Sequence, residues 1–200
     1  MSSNQRQHLR NEIGFQRASL SQIAQDNAAK LLLSKLSLHK KIQGAQHLAL
    51  YLSNKGELDP MPFIHWCWQQ NKCVYLPVIH PFNNKYLIFL KYEEHTVMRA
   101  NKFNILEPRL DVRSLCPIKQ LDIIFTPLVA FDDRGNRLGM GGGFYDRTLA
   151  STYHAYKQGQ ASAPYIMGIA HDCQQVKAVP VEIWDIPLPE IITPSKSYQF

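Results

Sequence analysis

Apolar residues recur along the chain at two spacings, one typical of amphipathic helices and one typical of strands. Helical spacing predicts helices at 4–17, at about 20–32, at 60–70 and at 144–156. Short apolar runs predict strands at 47–52, 73–77, 86–92, 121–129, 165–170 and 191–193. Because helices and strands alternate, we expect an α/β fold with three layers, α/β/α, around a mostly parallel open sheet.

Some of these elements have sharper signals at their ends. Residues 47–77 form a β-α-β unit, whose two strands are expected to be parallel. Asp59 stands directly before a proline, and this pair predicts the N-terminus of the helix in that unit. The run 121–129 is the clearest strand, with Pro127 interrupting its hydrogen bonds near the C-terminal end. Residues 103–116 show no clear period and are predicted to be mostly loop.

Length and charge narrow the class of protein. The chain has 200 residues, which fits one domain spanning residues 1–200. Its 22 basic and 16 acidic residues give a net charge of +6, which favours anionic partners such as nucleotide phosphates or polycarboxylates. Lys40 and Lys41 are the only adjacent basic pair, so the charge pattern does not favour nucleic acid as a partner.

The chain carries no sign of export or membrane insertion. Residues 1–13 are polar overall, unlike a secretory signal peptide, and no apolar run is long enough for a membrane span. The four cysteines show neither a Cys-x-x-Cys pair nor zinc-site spacing. Cys67 and Cys73 have apolar neighbours and are expected to be buried free thiols. We therefore expect a cytoplasmic protein that binds no membrane.

The strongest chemical signal is the segment 139–143, called the glycine loop below, in which four of five residues are glycine. It lies between the predicted strand 121–129 and the predicted helix 144–156. Ligands bind at this edge of open α/β sheets, and a helix N-terminus favours an anion. Arg137 can add a bidentate phosphate contact, and Asp146 is spaced to hold Mg²⁺ beside the phosphates. The pattern predicts a phosphate site; the plainer alternative is a glycine-rich turn with Asp146 capping the helix.

The loop matches neither common phosphate-binding pattern. Gly-x-Gly-x-x-Gly fails at Phe144, and a P-loop fails because no Lys-Ser or Lys-Thr follows Gly143. The longer run 135–147 closely resembles the signature of the 5-formyltetrahydrofolate cyclo-ligase family, also called 5,10-methenyltetrahydrofolate synthetases. The N-terminal basic segment, the loop 56–59 and the segment 179–185 also resemble that family, so the resemblance spans nearly the whole chain.

The resemblance implies an enzyme that converts 5-formyltetrahydrofolate to 5,10-methenyltetrahydrofolate, with ATP as co-substrate, Mg²⁺ as cofactor, and ADP and phosphate as products. In such a reaction the formyl oxygen attacks the γ-phosphate, and a folate nitrogen then displaces phosphate from the activated carbon. This chemistry needs positioning and charge neutralisation more than a protein nucleophile. ATP and 5-formyltetrahydrofolate, with or without a polyglutamate tail, are the expected partners of a monomer.

The resemblance also implies roles for individual residues. For ATP binding it implies Arg6, Arg10, Arg137, Leu138, Gly139, Met140, Gly141, Gly142, Gly143, Phe144 and Tyr145. For folate binding it implies Arg10, Leu52, Glu57, Met140, Gly141, Gly142, Gly143 and Phe144. The implied catalytic residues are Arg137 and Tyr145, and the implied magnesium ligands are Asp146 and Asp185. Glu57 would pair with pterin N–H donors. Tyr51 and Trp184 would line the folate pocket, and the plainer alternative is that these aromatic side chains belong to the core.

Three positions depart from many relatives of that family. Those relatives carry Arg or Lys at the positions of Met140 and Gly142, and Tyr at that of Phe144. Either the backbone suffices at these positions, or Arg134 and Arg147 compensate for the missing side chains.

Plainer interpretations and other functions stay open at this point. Arg6 and Arg10 fit a solvated helix face, Glu57 fits an ordinary loop residue, and His171 is expected at the surface rather than at the pocket edge. A sugar-phosphate isomerase or CoA-transferase-like enzyme on a similar α/β scaffold would bind an anion at the same loop without ATP. A non-catalytic folate and nucleotide sensor would bind both ligands without turnover.

Overall fold

The computed structural model describes residues 2–160 and 163–200. Its α-helices are α1 Ser2–Ala18, α2 Gln22–Leu38, α3 Lys40–Gly44, α4 Met61–Gln69 and α5 Phe144–Lys157. The Ser21 hydroxyl accepts a hydrogen bond from the Ala24 N–H at 3.2 Å and so caps α2. An Asp59 carboxylate oxygen accepts one from the Met61 N–H at 3.0 Å, so this residue marks the start of α4 as the sequence predicts.

The strands of the described chain are β1 His47–Ala49, β2 Cys73–Ile79, β3 Leu87–Lys91, β4 Met98–Ala100, β5 Leu106–Pro108, β6 Leu115–Cys116, β7 Ile123–Thr126, β8 Ala130–Phe131, β9 Arg137–Leu138, β10 Tyr165–Ile169, β11 Glu190–Ile192 and β12 Ser197–Gln199. Eight of these strands form one sheet in the order β12-β11-β10-β7-β1-β2-β3-β6. Neighbouring strands from β11 to β2 are parallel, whereas β12, β3 and β6 pair antiparallel at the two edges. The prediction of a mostly parallel open sheet is confirmed.

Alternate residues of β7 point to opposite faces of the sheet and divide the core between two helical layers. On one face Phe125 belongs to a cluster with Leu32 of α2 and Phe63 of α4. On the other face Ile124 belongs to a cluster with Leu149 of α5. All five side chains are fully buried, and burial of each contributes about 2 kcal/mol to stability. The predicted α/β/α layering is confirmed.

The segments that carry the site residues leave the sheet at one edge. Because β1, β7 and β10 are parallel neighbours, the residues that follow them meet at their carboxyl ends. The segment 50–58 follows β1, and His171 follows β10. Pro127 follows β7 and has no N–H to donate, so β7 ends at Thr126, before the predicted end at 129. The β8–β9 hairpin then leads into the glycine loop.

Helix α1 lies across the same edge of the sheet. Its Ile13 packs in a small cluster with Val129 and with Leu138 of β9. This contact holds α1 against the hairpin that precedes the glycine loop, so basic residues on α1 can reach the loop.

Some predictions differ from the structure. Residues 103–116 are not mostly loop: they contain β5, a 3₁₀ turn at Val112–Ser114 and β6. The β4–β5 hairpin has only three residues in each strand, too few to show a period of two. The helical spacing of apolar residues at 20–32 predicts that Ile23 and Leu31 face the core, but they are 74% and 52% exposed, because α2 packs through the stripe that contains its buried Leu32 and Leu36.

The cysteine and membrane predictions can also be compared with the structure. All four cysteines are free; Cys67 is a buried free thiol as expected, but Cys73 is only half-buried. Among residues 2–160 and 163–200, no helix combines the length and the apolar character that crossing a membrane requires.

Candidate active site

Two cavities open at the carboxyl edge of the sheet, one on each side of the glycine loop. The larger cavity, of about 420 Å³, lies between the segment 50–58, the β4–β5 hairpin and the start of α5. The smaller cavity, of about 310 Å³, lies between α1, the glycine loop and the segment 182–185. Gly139, Gly143 and Asp146 line both cavities. Ligands in the two cavities would therefore meet at this loop.

The backbone of the glycine loop takes conformations that other residues adopt only with strain. Gly141 has φ +101° and Gly143 has φ +61°. A Cβ at Gly143 would also lie 2.6 Å from the Arg147 Nη1. Gly143 is the N-cap of α5, and no side chain in the described part of the protein caps that turn. The N-terminal N–H groups and dipole of α5 thus lie beside both cavities, where they favour an anion.

An ion pair joins the strand before the loop to the helix after it. The Arg137 Nη2 donates to the Asp146 Oδ1 at 2.5 Å. Arg137 is 4% exposed, because its strand β9 lies between α1 and the sheet edge. The same Asp146 oxygen also accepts from the Ile186 N–H at 3.4 Å. Asp146 is thereby fixed at the junction of the two cavities.

Helix α1 supplies two cations to the smaller cavity. Arg6 and Arg10 are one turn apart, and both line this cavity. The Arg10 Nε donates to the Gly139 carbonyl at 2.9 Å, which ties α1 to the glycine loop. The Arg6 guanidinium contacts both carboxylate oxygens of Asp185, at 2.5 and 3.1 Å. This hydrogen bonding raises the pKa of Arg6, whereas burial lowers that of Arg10.

The donor set of the smaller cavity fits a hard divalent cation bound together with phosphate. The carboxylates of Asp146 and Asp185 both line it, and Mg²⁺ in proteins is commonly held by one or two carboxylates plus substrate phosphates. Among the described residues, no group of three or more His, Cys, Asp or Glu side chains could hold a metal ion. The residues therefore fit a nucleotide-bound Mg²⁺ better than an all-protein metal cage.

The larger cavity contains a buried carboxylate. Glu57 lies in a tight turn after β1 and is 7% exposed. One carboxylate oxygen accepts from the Asn54 N–H at 3.1 Å, and the other lies 3.9 Å from the Arg17 Nη1. Burial raises the pKa of Glu57 to about 7, while Arg17 and the Asn54 N–H oppose that rise. A carboxylate with these surroundings can accept hydrogen bonds from a ligand with adjacent N–H donors.

Two tyrosines lie near this carboxylate. The Tyr51 hydroxyl donates to the Leu58 carbonyl at 3.4 Å. The Tyr145 hydroxyl is buried and makes no hydrogen bond within the described structure, although it lines the cavity. Burial and the nearby Glu57 raise the pKa of both hydroxyls, so both stay protonated at neutral pH. Tyr145 is therefore a donor available to a ligand.

Comparison with known proteins identifies the family to which this chain belongs. The model of the family described as "5-formyltetrahydrofolate cyclo-ligase family" matches residues 2–194. This chain belongs to the 5-formyltetrahydrofolate cyclo-ligase family. The resemblance found in the sequence is thus confirmed, as is the prediction of an enzyme of this family.

Individual relatives agree with the family match. A protein of Haemophilus influenzae named 5-formyltetrahydrofolate cyclo-ligase is 47% identical over 193 residues, which cover 96% of this chain and 99% of that protein. An Escherichia coli K12 protein of the same name is 45% identical over 184 residues, covering 92% and 97% of the two chains. The NMR structure of Aquifex aeolicus 5,10-methenyltetrahydrofolate synthetase has a TM-score of 0.80 at 25% identity, covering 97% of this chain and 92% of that one.

The residues that the cyclo-ligase resemblance implied divide between the two cavities. Those that line the larger cavity are Leu52, Glu57, Arg137, Gly139, Met140, Gly142, Gly143, Phe144, Tyr145 and Asp146. Those that line the smaller cavity are Arg6, Arg10, Gly139, Gly141, Gly143, Asp146 and Asp185. Leu138 lines neither cavity through its side chain, which is buried in the cluster with Ile13.

Two aromatic or imidazole side chains near the site have locations that the sequence does not show. Trp184 lines the smaller cavity and not the larger one that contains Glu57. Its segment is held by Arg6, which donates to the Pro180 carbonyl and to Asp185. His171, expected at the surface, is instead buried: it is 3% exposed, and its Nε2 makes no hydrogen bond within the described structure.

The structure also shows what surrounds Gly142 and Phe144, two of the positions at which the sequence is expected to depart from the family pattern. Arg147, one of the two arginines expected to compensate, donates to the Gly142 carbonyl and to the Lys85 carbonyl. Its guanidinium also lies over the Phe144 ring, 5.7 Å from the ring centre. Arg147 thus stabilises the glycine loop through contacts that lie outside both cavities, and it lines neither of them.

Sequence reasoning missed the outer wall of the larger cavity. Phe103, in the connection between β4 and β5, meets Phe144 edge to face at 5.9 Å. Glu107 of β5 is 3% exposed, and it accepts hydrogen bonds from Arg99 and from the Ile79 N–H of β2. This carboxylate anchors the hairpin to the sheet. The burial of Glu107 is visible only in the structure, so the sequence contains no clear signal for this wall.

Proposed function

We propose that this protein converts 5-formyltetrahydrofolate to 5,10-methenyltetrahydrofolate in a reaction that consumes ATP and requires Mg²⁺. One observation carries the proposal: the glycine loop is a shared wall between a cavity with a buried carboxylate and a cavity with two arginines and two aspartates. A phosphoryl group bound at this loop is accessible from both sides. Family membership supports the same reaction class.

The smaller cavity is the proposed ATP phosphate site. Arg6 and Arg10 supply positive charge from α1, and the N-terminus of α5 supplies N–H donors from the opposite side. Cations and N–H groups around a transferred phosphoryl group neutralise the charge that its oxygens carry in the transition state. Asp146 and Asp185 are the residues that would hold Mg²⁺, which when bound neutralises phosphate charge and orients the γ-phosphate.

The larger cavity is the proposed folate site. Its volume of about 420 Å³ suits the pterin end of a folate. Ionised Glu57 would accept hydrogen bonds from the 2-amino group and the adjacent ring N–H of the pterin. Met140 and Phe144 provide apolar contact surface next to the loop. The Tyr145 hydroxyl, buried and without a partner in the described structure, is the proposed donor to the reacting part of the folate.

Two bond exchanges complete the reaction. The formyl oxygen attacks the γ-phosphorus of ATP, the bond from that phosphorus to ADP breaks, and an imino-phosphate forms on the folate. The second folate nitrogen then attacks the former formyl carbon, forming the ring and losing its N–H proton to the solvent, and the C–O bond breaks to release phosphate. Arg137, at the junction of the cavities, is the proposed partner for negative charge on the transferred phosphoryl group.

The test follows the methenyl-folate absorbance band with purified protein, 5-formyltetrahydrofolate, ATP and Mg²⁺. The proposal expects a rise that needs both ATP and Mg²⁺, with one phosphate released per methenyl group formed. A rise without ATP, or no rise from a folded protein, would contradict the proposal. Tight binding of folate and ATP without any rise would favour the sensor, and ATP-independent turnover of a sugar phosphate would favour the isomerase.

Several expectations about the intact protein remain part of the proposal. We propose that residues 1–200 work as one domain, that the protein is a cytoplasmic monomer, and that it accepts folates with or without a polyglutamate tail. Size-exclusion chromatography with light scattering tests the monomer, and competition between folates of different tail length tests substrate range.

A further inference from the structure

Arg17 is a buried cation that the proposed reaction does not use directly. It lies near the C-terminal end of α1 and is 3% exposed, and it lines neither cavity. Its Nε and Nη1 make no hydrogen bond within the described structure. A buried charge without compensation is strongly unfavourable, so its surroundings should contain an opposing charge.

The opposing charge is Glu57. The Arg17 Nη1 lies 3.9 Å from the Glu57 Oε1, too far for a hydrogen bond but within ion-pair distance. Both side chains are more than nine-tenths buried, so solvent screens their attraction only weakly. Arg17 is the one cation that the described structure brings within 4 Å of this carboxylate.

The backbone brings α1 and the Glu57 turn together at the same place. Gly56 has φ +73°, which lets the chain reverse so that Glu57 points back toward Asn54. A Cβ added at Gly56 would lie 3.3 Å from the Arg17 carbonyl oxygen. The turn therefore rests directly on the end of α1, and a small residue is needed between them.

We infer that Arg17 is a positioning residue that holds Glu57 as an ionised, outward-facing acceptor in the larger cavity. This inference rests on the proposed function, because it assigns Glu57 to the pterin. Arg17 lies behind the carboxylate, and the ligand binds in front of it. Since Arg6 and Arg10 belong to the same helix, α1 then supports both proposed substrate sites.

Other groups near the pair are consistent with this role. The titratable groups that face Glu57 or Arg17 are Tyr51, Tyr145, His171 and Cys173, and Asp59 faces Tyr51 in turn. Burial and the Arg17 charge lower the pKa of His171, so this imidazole is neutral near pH 7 and does not compete as a cation. Burial raises the pKa of Tyr51, Tyr145 and Cys173, which stay protonated. The carboxylate thus depends on Arg17 for compensation.

The test compares Arg17→Met, which removes the charge, with Arg17→Lys, which keeps it. For Arg17→Met we expect the KM for 5-formyltetrahydrofolate to rise about fivefold at pH 7, with the KM for ATP unchanged. A rise of one unit in the pKa of Glu57 from about 7 lowers its ionised fraction at that pH from about one half to about one tenth. Raising the pH should restore much of the loss, because Glu57 then ionises without help. Arg17→Lys should lie close to the wild type. Equal loss at every pH, or equal loss for both substrates, would overturn the inference.

A second measurement does not depend on the reaction. The chain has seven glutamates, so an NMR titration with ¹³C-labelled glutamate can follow Glu57, assigned by its absence in Glu57→Gln. In Arg17→Met the titration midpoint of Glu57 should move upward by about one pH unit. An unmoved midpoint would overturn the inference even in an active enzyme. A moved midpoint in a protein that never turns over folate would instead count against the proposed function alone.

Loss of folding in Arg17→Met can be separated from loss of positioning. If the unpaired Glu57 carboxylate is what destabilises this variant, the double variant Arg17→Met with Glu57→Gln should be more stable than Arg17→Met alone. If the double variant is no more stable, Arg17 acts through packing, and the inference fails.

Discussion

The Arg137 guanidinium, which lines the larger cavity, forms an ion pair with the Asp146 carboxylate, which lines both cavities, with Nη2 and Oδ1 2.5 Å apart. The Arg137 side chain is 3% exposed, and its Nε makes no hydrogen bond in the described structure. Asp146 therefore has two tasks: it compensates a buried cation, and it presents a carboxylate to the proposed phosphate site. A neutral residue at position 146 would therefore affect both the compensation of the Arg137 charge and the carboxylate at the proposed phosphate site.

Asp146→Asn should lower kcat by about 100-fold, the scale of losing one preorganised charge at a transferring group. The residual activity should need more Mg²⁺ than the wild type. The measurement is a steady-state Mg²⁺ titration at saturating ATP and folate, with circular dichroism to confirm folding. Asp133→Asn, at an exposed position before the loop, is the matched control. Full activity of Asp146→Asn at saturating Mg²⁺ would remove Asp146 from the metal role.

Glu57 should make the stability of the protein depend on pH in a direction unusual for a carboxylate. Burial raises its pKa from 4.5 to about 7, so between these values the folded chain binds a proton that the unfolded chain has lost. The stability that protonated Glu57 contributes is complete below the pKa that this group has in the unfolded chain. It is lost as the pH rises through the pKa that the group has in the folded protein. The size of this effect is about 3 kcal/mol.

Glu57→Gln removes that titration and so provides the measurement. The unfolding free energy of the wild type minus that of Glu57→Gln should fall as the pH rises from about 4.5 to 7. Urea unfolding at several pH values gives the difference. Glu94→Gln, at an exposed position, should leave the difference flat. A flat difference for Glu57→Gln would mean that this carboxyl is already ionised throughout the range.

Glu57→Ala should weaken folate binding far more than ATP binding, because Glu57 lines only the larger cavity. Loss of a charged partner for buried N–H donors typically costs about 2 kcal/mol, or roughly 30-fold in affinity. Isothermal titration with each ligand separately measures both affinities. Equal weakening of folate and ATP would assign Glu57 a structural role in the turn.

Local sequence patterns predict the three α/β/α layers of the fold and single out the glycine loop. Ser21 and Asp59 each accept a hydrogen bond from a backbone N–H two or three residues later and so mark the start of a helix. A signal of this kind is contained in a short segment of the sequence. The buried strand β7 is also predicted from a local pattern, the apolar run 121–129. The predicted strand is longer than the observed one, because the apolar run continues past Pro127. Signals that act locally are readable in a single sequence.

Contacts between distant segments were not readable in that way. Arg17 ended a predicted helix and gave no hint of Glu57, forty residues later in the chain, because only the fold brings them together. The sequence also does not show which cavity Trp184 lines, because its location depends on Arg6 reaching Asp185 from the other end of the chain. Pairings of this kind need the tertiary structure.

Tyr145→Phe should separate stability from activity. The Tyr145 hydroxyl is buried without a partner in the described structure, so removing it should leave stability unchanged or raise it by about 1 kcal/mol. If this hydroxyl donates to the folate, kcat should fall at least about tenfold. Tyr153→Phe, on the same helix, is the control and should leave kcat unchanged. A stable variant with wild-type kcat would show that the hydroxyl has no role in the reaction.

Trp184→Ala should weaken ATP binding and leave folate binding unchanged, because Trp184 lines only the cavity with Arg6 and Arg10. Its ring is 64% exposed beside the proposed phosphate site, where an aromatic face can stack on a nucleobase. Stacking of that kind predicts about a tenfold rise in the KM for ATP, with recovery in Trp184→Phe.

The matched control is Ile183→Ala, because Ile183 is 97% exposed and lines neither cavity. Fluorescence gives a direct readout: the other two tryptophans, Trp66 and Trp68, pack against the core through α4, so ATP should quench mainly Trp184. Quenching should therefore disappear in Trp184→Phe while turnover persists. If quenching persists without Trp184, or if the KM for ATP does not change in Trp184→Ala, the nucleobase binds elsewhere on the smaller cavity.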